Sequence, residues 1–138
     1  MPRDVWKEML TFHRRAVTVM DLHLQSEFGH GLDDYDVLHQ LSHAGVPLRM
    51  GDLAERLLVA NSSCHRIVSR LADAGFLHVA SDENDRRSRL VSLSETGASQ
   101  YRQMARVHRN DIDQQFSDRI IPDDLAVLDR VFRGLNSR

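Results

Sequence analysis

Residues 61–75 read Asn-Ser-Ser-Cys-His-Arg-Ile-Val-Ser-Arg-Leu-Ala-Asp-Ala-Gly, and two chemistries separate on this stretch at helical spacing. Cys64, Ile67, Val68 and Leu71 fall at i, i+3, i+4 and i+7, an apolar stripe that must face a core. The opposite face carries Ser62, Ser63, His65, Arg66, Ser69, Arg70 and Asp73. Short hydroxyls near a helix N-terminus let the backbone approach a phosphate, where free N–H groups and the helix dipole favour an anion. Arg66 and Arg70, further along the same face, have the reach for more phosphates or for base edges. The implied chemistry is recognition of a polyanion. Catalysis is not indicated, because the chain shows no paired carboxylates, nucleophile constellation or phosphate loop, and the expectation is a protein that is not an enzyme.

Gly75 stops this helix, and the chain beyond it is β in character. Residues 76–80 read as a short strand, residues 89–93 alternate apolar and polar as a second, and the wholly polar run 81–88 between them is a hairpin. At residues 85–97 the sequence is Asp-Arg-Arg-Ser-Arg-Leu-Val-Ser-Leu-Ser-Glu-Thr-Gly. This resembles the wing signature of the MarR family of transcription regulators, D-x-R-x-x-x-V-x-L-T-x-x-G, with Ser94 in the Thr position. The resemblance extends upstream through Leu53-Ala54-Glu55-Arg56-Leu57 and Arg66-Ile67-Val68-Ser69-Arg70-Leu71, and the full length suits one protomer.

The resemblance implies a mainly α fold with a small β-wing: a winged helix-turn-helix that dimerises through its N- and C-terminal helices. It divides the single domain 1–138 into a DNA-binding lobe, residues 32–97, and dimerisation helices in residues 1–31 and 98–138. The implied partners are double-stranded DNA carrying a pseudo-palindromic operator, a second copy of the chain, and a small-molecule effector that releases a repressor. By position, DNA contacts fall to Asn61, Ser62, Ser63, His65, Arg66 and Ser69 on the helix and to Arg86 and Arg87 on the wing. Arg87 is expected to enter a minor groove, where a narrow A·T-rich tract concentrates negative potential, with Asp85 orienting it. The bland reading of Asp85 and Arg87 is stabilisation of a hairpin. Arg70 joins the set by its reach, and Arg49 either touches phosphate or is simply solvated. An effector pocket, placed by analogy alone, draws on Trp6, His13, Arg15 and Tyr35.

Two positions depart from the family pattern. Ala60 stands where a capping Ser or Thr is common, so Asn61 is a candidate cap in its place. Asp82 and Glu83 put acid near the wing tip, which weakens a phosphate contact there.

Periodicity identifies the elements that must position these groups. Trp6, Met9, Leu10, Val17, Met20, Leu24 and Phe28 predict a long amphipathic helix over residues 5–28, ended at Gly29. A second helix begins near residue 32 with Asp33 as its N-cap and breaks at Gly45 to Pro47. Residues 49–58 form a short positioning helix that turns through Leu58, Val59 and Ala60 into the reading helix. Ser94 caps a long helix to about Phe116, and Pro122 opens a last one with Leu125, Leu128, Val131, Phe132 and Leu135 as its stripe.

The chain has 138 residues and a net charge of −2. That charge is uneven: residues 49–106 hold nine arginines against seven carboxylates, a balance of +2, whereas residues 1–48 sum to −3 and residues 107–138 to −1. Seventeen of the eighteen Lys and Arg residues are Arg, the side chain suited to bidentate phosphate and guanine contacts, although base composition of the gene gives the same bias. No apolar run approaches a membrane span and no signal-like segment opens the chain, so a cytoplasmic location without membrane contact is expected. One cysteine excludes an internal disulfide, and Cys64 on the buried stripe is expected to be an inert core thiol. No cofactor is expected. His39 and His43 have chelating i, i+4 spacing without a third ligand in sequence, so a metal-responsive regulator is one alternative and a winged-helix protein-interaction module another. His13 and His108 lie on or beside apolar stripes as core histidines or pocket walls.

Overall fold

The computed structural model describes residues 1–137; Arg138, the end of the expected dimerisation segment, lies outside them. Within them the order is α1 (Pro2–Phe28), α2 (Leu32–Ala44), β1 (Leu48–Arg49), α3 (Met50–Leu57), α4 (Asn61–Asp73), β2 (Leu77–Asp82), β3 (Asp85–Leu93), α5 (Glu95–Gln115), a 3₁₀ turn (Ser117–Arg119) and α6 (Pro122–Asn136). The architecture is mainly α with one small antiparallel sheet of order β1-β3-β2, a winged helix-turn-helix.

Pro2 opens α1, where its missing N–H costs nothing, and Gly29 closes it in the left-handed conformation at φ 74°. Only Ala16, Met20 and Leu24, one stripe of its C-terminal half, are buried. The start of α2 differs from the expectation. Gly31 occupies the N-cap, and Asp33 lies inside the first turn without capping it. The capping carboxylate comes from α1 instead: Asp21 Oδ1 accepts from Leu32 N at 2.9 Å. A Cβ at Gly31 would sit 2.2 Å from that oxygen and 2.7 Å from Gln25 Nε2, so a larger residue there would have to push the Asp21 carboxylate off its capping position.

Arg49 is the N-cap of α3 and the second residue of β1, not a helical residue as expected. The short β1 pairs with β3, Leu48 opposite Val91 and Arg49 opposite Leu90. At the far end of α3, Leu58 takes the left-handed conformation at φ 58°. Leu58 N donates to Glu55 O and Val59 N to Ala54 O, the paired bonds of a Schellman turn, and the chain re-enters helix three residues later. The N-cap of α4 is Ala60, with extended backbone and no side-chain bond, which leaves Asn61 inside the helix and not spent as a cap. Gly75 at φ 86° ends the helix, with Phe76 N donating to Leu71 O.

Ser94 is the N-cap of α5, as its position predicts. Its Oγ accepts from Gly97 N at 2.9 Å and donates to Gly75 O at 2.6 Å, fastening α5 to the end of α4. The core gathers Leu38, Leu53, Cys64, Val68, Leu71, Leu77 and Val91 from the lobe with Leu24 of α1 and Met104 and Ala105 of α5. Burying each large side chain of this kind contributes about 1.5–3 kcal/mol. By contrast α6 buries no residue, and its stripe remains open beside Val5, Trp6, Met9 and Phe12 of α1.

Candidate nucleic-acid interface

The packing of α4 fixes which side of it is free. Cys64, Ile67, Val68 and Leu71 point into the core, so Asn61, Ser62, His65, Arg66 and Ser69 are exposed and Ser63 is half-buried. None of these six side chains has a hydrogen-bond or ion-pair partner among the described residues. This face is therefore rigidly mounted and chemically uncommitted. Cys64 is wholly buried against Met50, with Sγ 3.8 Å from the Met50 sulfur, and burial pushes its thiol up from the ordinary value. A thiol held protonated and enclosed is a poor nucleophile.

Arg70 differs from its neighbours. Its guanidinium is half-exposed and is ion-paired to Asp34, a buried carboxylate on α2. The other oxygen of Asp34 bonds His30 Nδ1 at 2.7 Å, and the His30 ring meets Phe76 edge-on at a centroid distance of 5.1 Å. Arg70 thus belongs to a contact that ties α4 to α2 and to the turn before it, unlike the unpartnered residues beside it on this face.

In the wing, the strands run closer to the tip than the polar composition suggests, and the turn is only Glu83 and Asn84. The ladder pairs Ser81 with Arg89 and Asp82 with Asp85. Between those pairs β2 advances one residue and β3 four, so Arg86, Arg87 and Ser88 have no partner across the ladder and bulge from it. Arg86 and Arg87 are exposed. Asp85 does hold this bulge, though not by gripping a guanidinium: its Oδ1 accepts from the backbone N–H of Arg87 at 3.0 Å and its Oδ2 from Ser88 Oγ at 3.1 Å. It sets the course of the backbone from which Arg87 projects.

Asp82 corrects an expectation. It is buried beneath the wing surface and not exposed at the tip, and it accepts from Arg49 Nε at 3.1 Å and from Asn84 N at 3.0 Å. Sequence reasoning missed both Asp34 and Asp82 as organisers. The 4-residue spacing of His30 and Asp34 was the available local signal, whereas the arginines they hold are 36 and 33 residues away.

The four candidate effector residues do not converge. Trp6 and Arg15 are exposed on α1, and His13 lines an open apolar cleft of about 570 Å³ with Met9, Leu10, Phe12, Phe116, Leu128 and Phe132. Tyr35 is buried elsewhere, in a cluster with His39, Tyr101 and His108 where α2 packs on α5. Within that cluster His39 Nδ1 and Tyr101 Oη are 2.8 Å apart, and burial depresses the basicity of both His39 and His108, with His43 adding to the effect on His39. His39 and His43 rings lie 5.1 Å apart, but among the described residues no group of three or more His, Cys, Asp or Glu is placed to hold a metal ion. Among them also, no helix is long and apolar enough to cross a membrane.

In sequence and in fold the chain is similar to known proteins. The family profile described as MarR family matches residues 30–88, from the turn after α1 to the first residues of β3. A 63-residue stretch is 38% identical to the transcriptional activatory protein BadR of Rhodopseudomonas palustris. It covers 44% of this chain and 36% of that relative, so the match spans about a third of the relative's length. Across 96% of the chain the fold superposes on AbsC, a MarR family transcriptional regulator from Streptomyces coelicolor, with TM-score 0.88, 28% identity and 90% of that chain covered. It also superposes on Sco3205 of the same organism, a MarR family regulator solved in complex with DNA, with TM-score 0.89, 24% identity, and coverage of 96% of this chain and 84% of that one.

Proposed function

We propose that the chain is a winged-helix transcription regulator of the MarR family, whose profile it matches over residues 30–88, and that it binds a pseudo-palindromic operator in double-stranded DNA as a homodimer, most simply as a repressor. The observation that carries this reading is the exposed, uncommitted face of α4 (Asn61, Ser62, Ser63, His65, Arg66 and Ser69), with Arg86 and Arg87 bulged from the adjacent wing. A helix of this kind fits a major groove, and the guanidinium of Arg87 suits a narrow minor groove beside it. The two copies of α4 would lie about one helical turn, roughly 34 Å, apart. On this reading the protein works in the cytoplasm, beside its DNA.

Dimerisation is supported by the apolar surface that the single chain leaves open. Val5, Trp6, Met9 and Phe12 of α1 and Val127, Val131, Phe132 and Leu135 of α6 are exposed together with the cleft between the two helices. An effector acts on such a dimer only through different affinities for its two states. The contact of α2 with α5, where Tyr35 lies among His39, Tyr101 and His108, is the joint at which a ligand would alter the spacing of the two reading helices. Activation is the second reading, favoured by the similarity to a relative named as an activatory protein.

The test is selection of duplexes from a random library by the full chain, followed by fluorescence anisotropy at low and physiological salt beside a shuffled duplex. A selected site with two-fold symmetry, bound tightly and with a steep salt dependence, is the expected result. Equal weak binding to both duplexes would remove sequence-specific regulation, and no binding at either salt would leave a protein-interaction module.

A further inference from the structure

Asp82 and Arg49 come from the two outer strands of the sheet and meet across the central one. In the ladder Arg49 lies level with Leu90, which lies level with Ala80, two residues before Asp82. The Arg49 Nε donates to Asp82 Oδ2 at 3.1 Å, while the Asp82 side chain is 7% exposed and that of Arg49 51%. A guanidinium has five N–H donors in a fixed plane. Fixing Nε to a buried carboxylate therefore fixes the direction of the two terminal nitrogens, which have no partner among the described residues. The second carboxylate oxygen accepts from Asn84 N at 3.0 Å, in the turn of the wing. One buried carboxylate thus joins the N-cap of α3 to the tip of the wing.

We infer that Asp82 is a positioning residue for DNA binding: it holds the Arg49 guanidinium as a phosphate clamp for the strand that passes between the groove read by α4 and the groove entered by the wing. The inference rests on the proposed DNA-binding reading. When a reading helix and a wing occupy neighbouring grooves, the sugar-phosphate backbone separating those grooves crosses the protein surface between them. Arg49 stands at the N-cap of α3, the start of the helix-turn-helix, and is tied through Asp82 to the end of the wing that carries the bulged Arg86 and Arg87, so on the proposed reading it would meet that backbone. A terminal N–H pair aimed by an ion pair loses little freedom on meeting a phosphate, whereas a loose arginine must be ordered at that moment. The carboxylate also keeps its own charge buried, so it orients the arginine without offering a bare anion to the DNA.

The sign of one substitution separates this role from plain electrostatics. Asp82→Asn removes a negative charge beside a polyanion, which by charge alone strengthens binding. Positioning requires the opposite. In anisotropy against the duplex selected by the full chain, Asp82→Asn is expected to weaken binding about tenfold, and Arg49→Ala by a similar factor with the salt slope reduced by about one. In the Arg49→Ala background, Asp82→Asn is expected to cause no further loss, because its function has already gone. A role confined to capping the wing turn through Asn84 would instead lower affinity in both backgrounds, and a thermal melt of each variant reports whether the lobe is intact. Equal or tighter binding by Asp82→Asn, or an equal loss in both backgrounds, overturns the inference while leaving the DNA-binding reading in place. If the unaltered chain selects no sequence, the reading falls and the inference with it.

Discussion

Arg66 and Arg70 lie four residues apart on α4, and Arg70 is held by a carboxylate whereas Arg66 has no partner among the described residues. Their substitutions should therefore fail in different assays. Arg66→Ala is expected to cost about 1–3 kcal/mol of operator affinity with the melting temperature unchanged. Arg70→Ala leaves Asp34 buried with only His30 to bond it, and should lower unfolding free energy by about 1–2 kcal/mol, the low end for a buried pair because the arginine is half-exposed. Denaturant titration beside anisotropy separates the two, and an Arg70→Ala protein of unchanged stability would contradict the tether. At this scale the sequence is readable where chemistry is local. The stripe of Cys64, Ile67, Val68 and Leu71 and the opposite polar face are set by spacing on one helix. The partners of Arg70 and Arg49 are not readable, since both carboxylates are far away in sequence and become neighbours only when the helices and strands pack.

Among the elements, α5 depends on one glycine for its seat. A Cβ at Gly97 would stand 1.9 Å from the carbonyl oxygen of Phe76, a backbone atom that cannot swing aside. Gly97→Ala should therefore lower stability by about 3 kcal/mol, read as a fall in the denaturant midpoint. Gly134 of α6 meets nothing within 4 Å, so Gly134→Ala, made as a control, should stabilise its helix by up to about 1 kcal/mol. The helices were legible because their caps and stripes are sequential, as with Ser94 and Gly97. The cap of α2 was not, because its carboxylate arrives from Asp21, one helix earlier. Strand β1 has two residues, too few for any alternation to register, and the polar ends of β2 and β3 carry no apolar signal to distinguish strand from loop.

For the whole molecule, the conspicuous fact is a last helix with a regular apolar stripe and no buried residue. Periodicity announces that such a stripe must be covered and is silent on whether the cover lies in the same chain. In the proposed dimer it is the second copy. Phe132→Asp and Leu128→Asp should each convert a dimer to a monomer in sedimentation, and operator binding should weaken with loss of the second half-site. Sedimentation of the unaltered chain as a monomer at micromolar concentration would sink the dimer.

The turn between α3 and α4 has one more consequence. Leu58 is 91% exposed and in a backbone conformation that glycine or asparagine adopts more readily. Its side chain covers nothing, and the local geometry is imposed by the two helices it joins. The position thus holds an unused margin of about 1 kcal/mol, open to replacement by Asn or Gly without touching the core or the reading face.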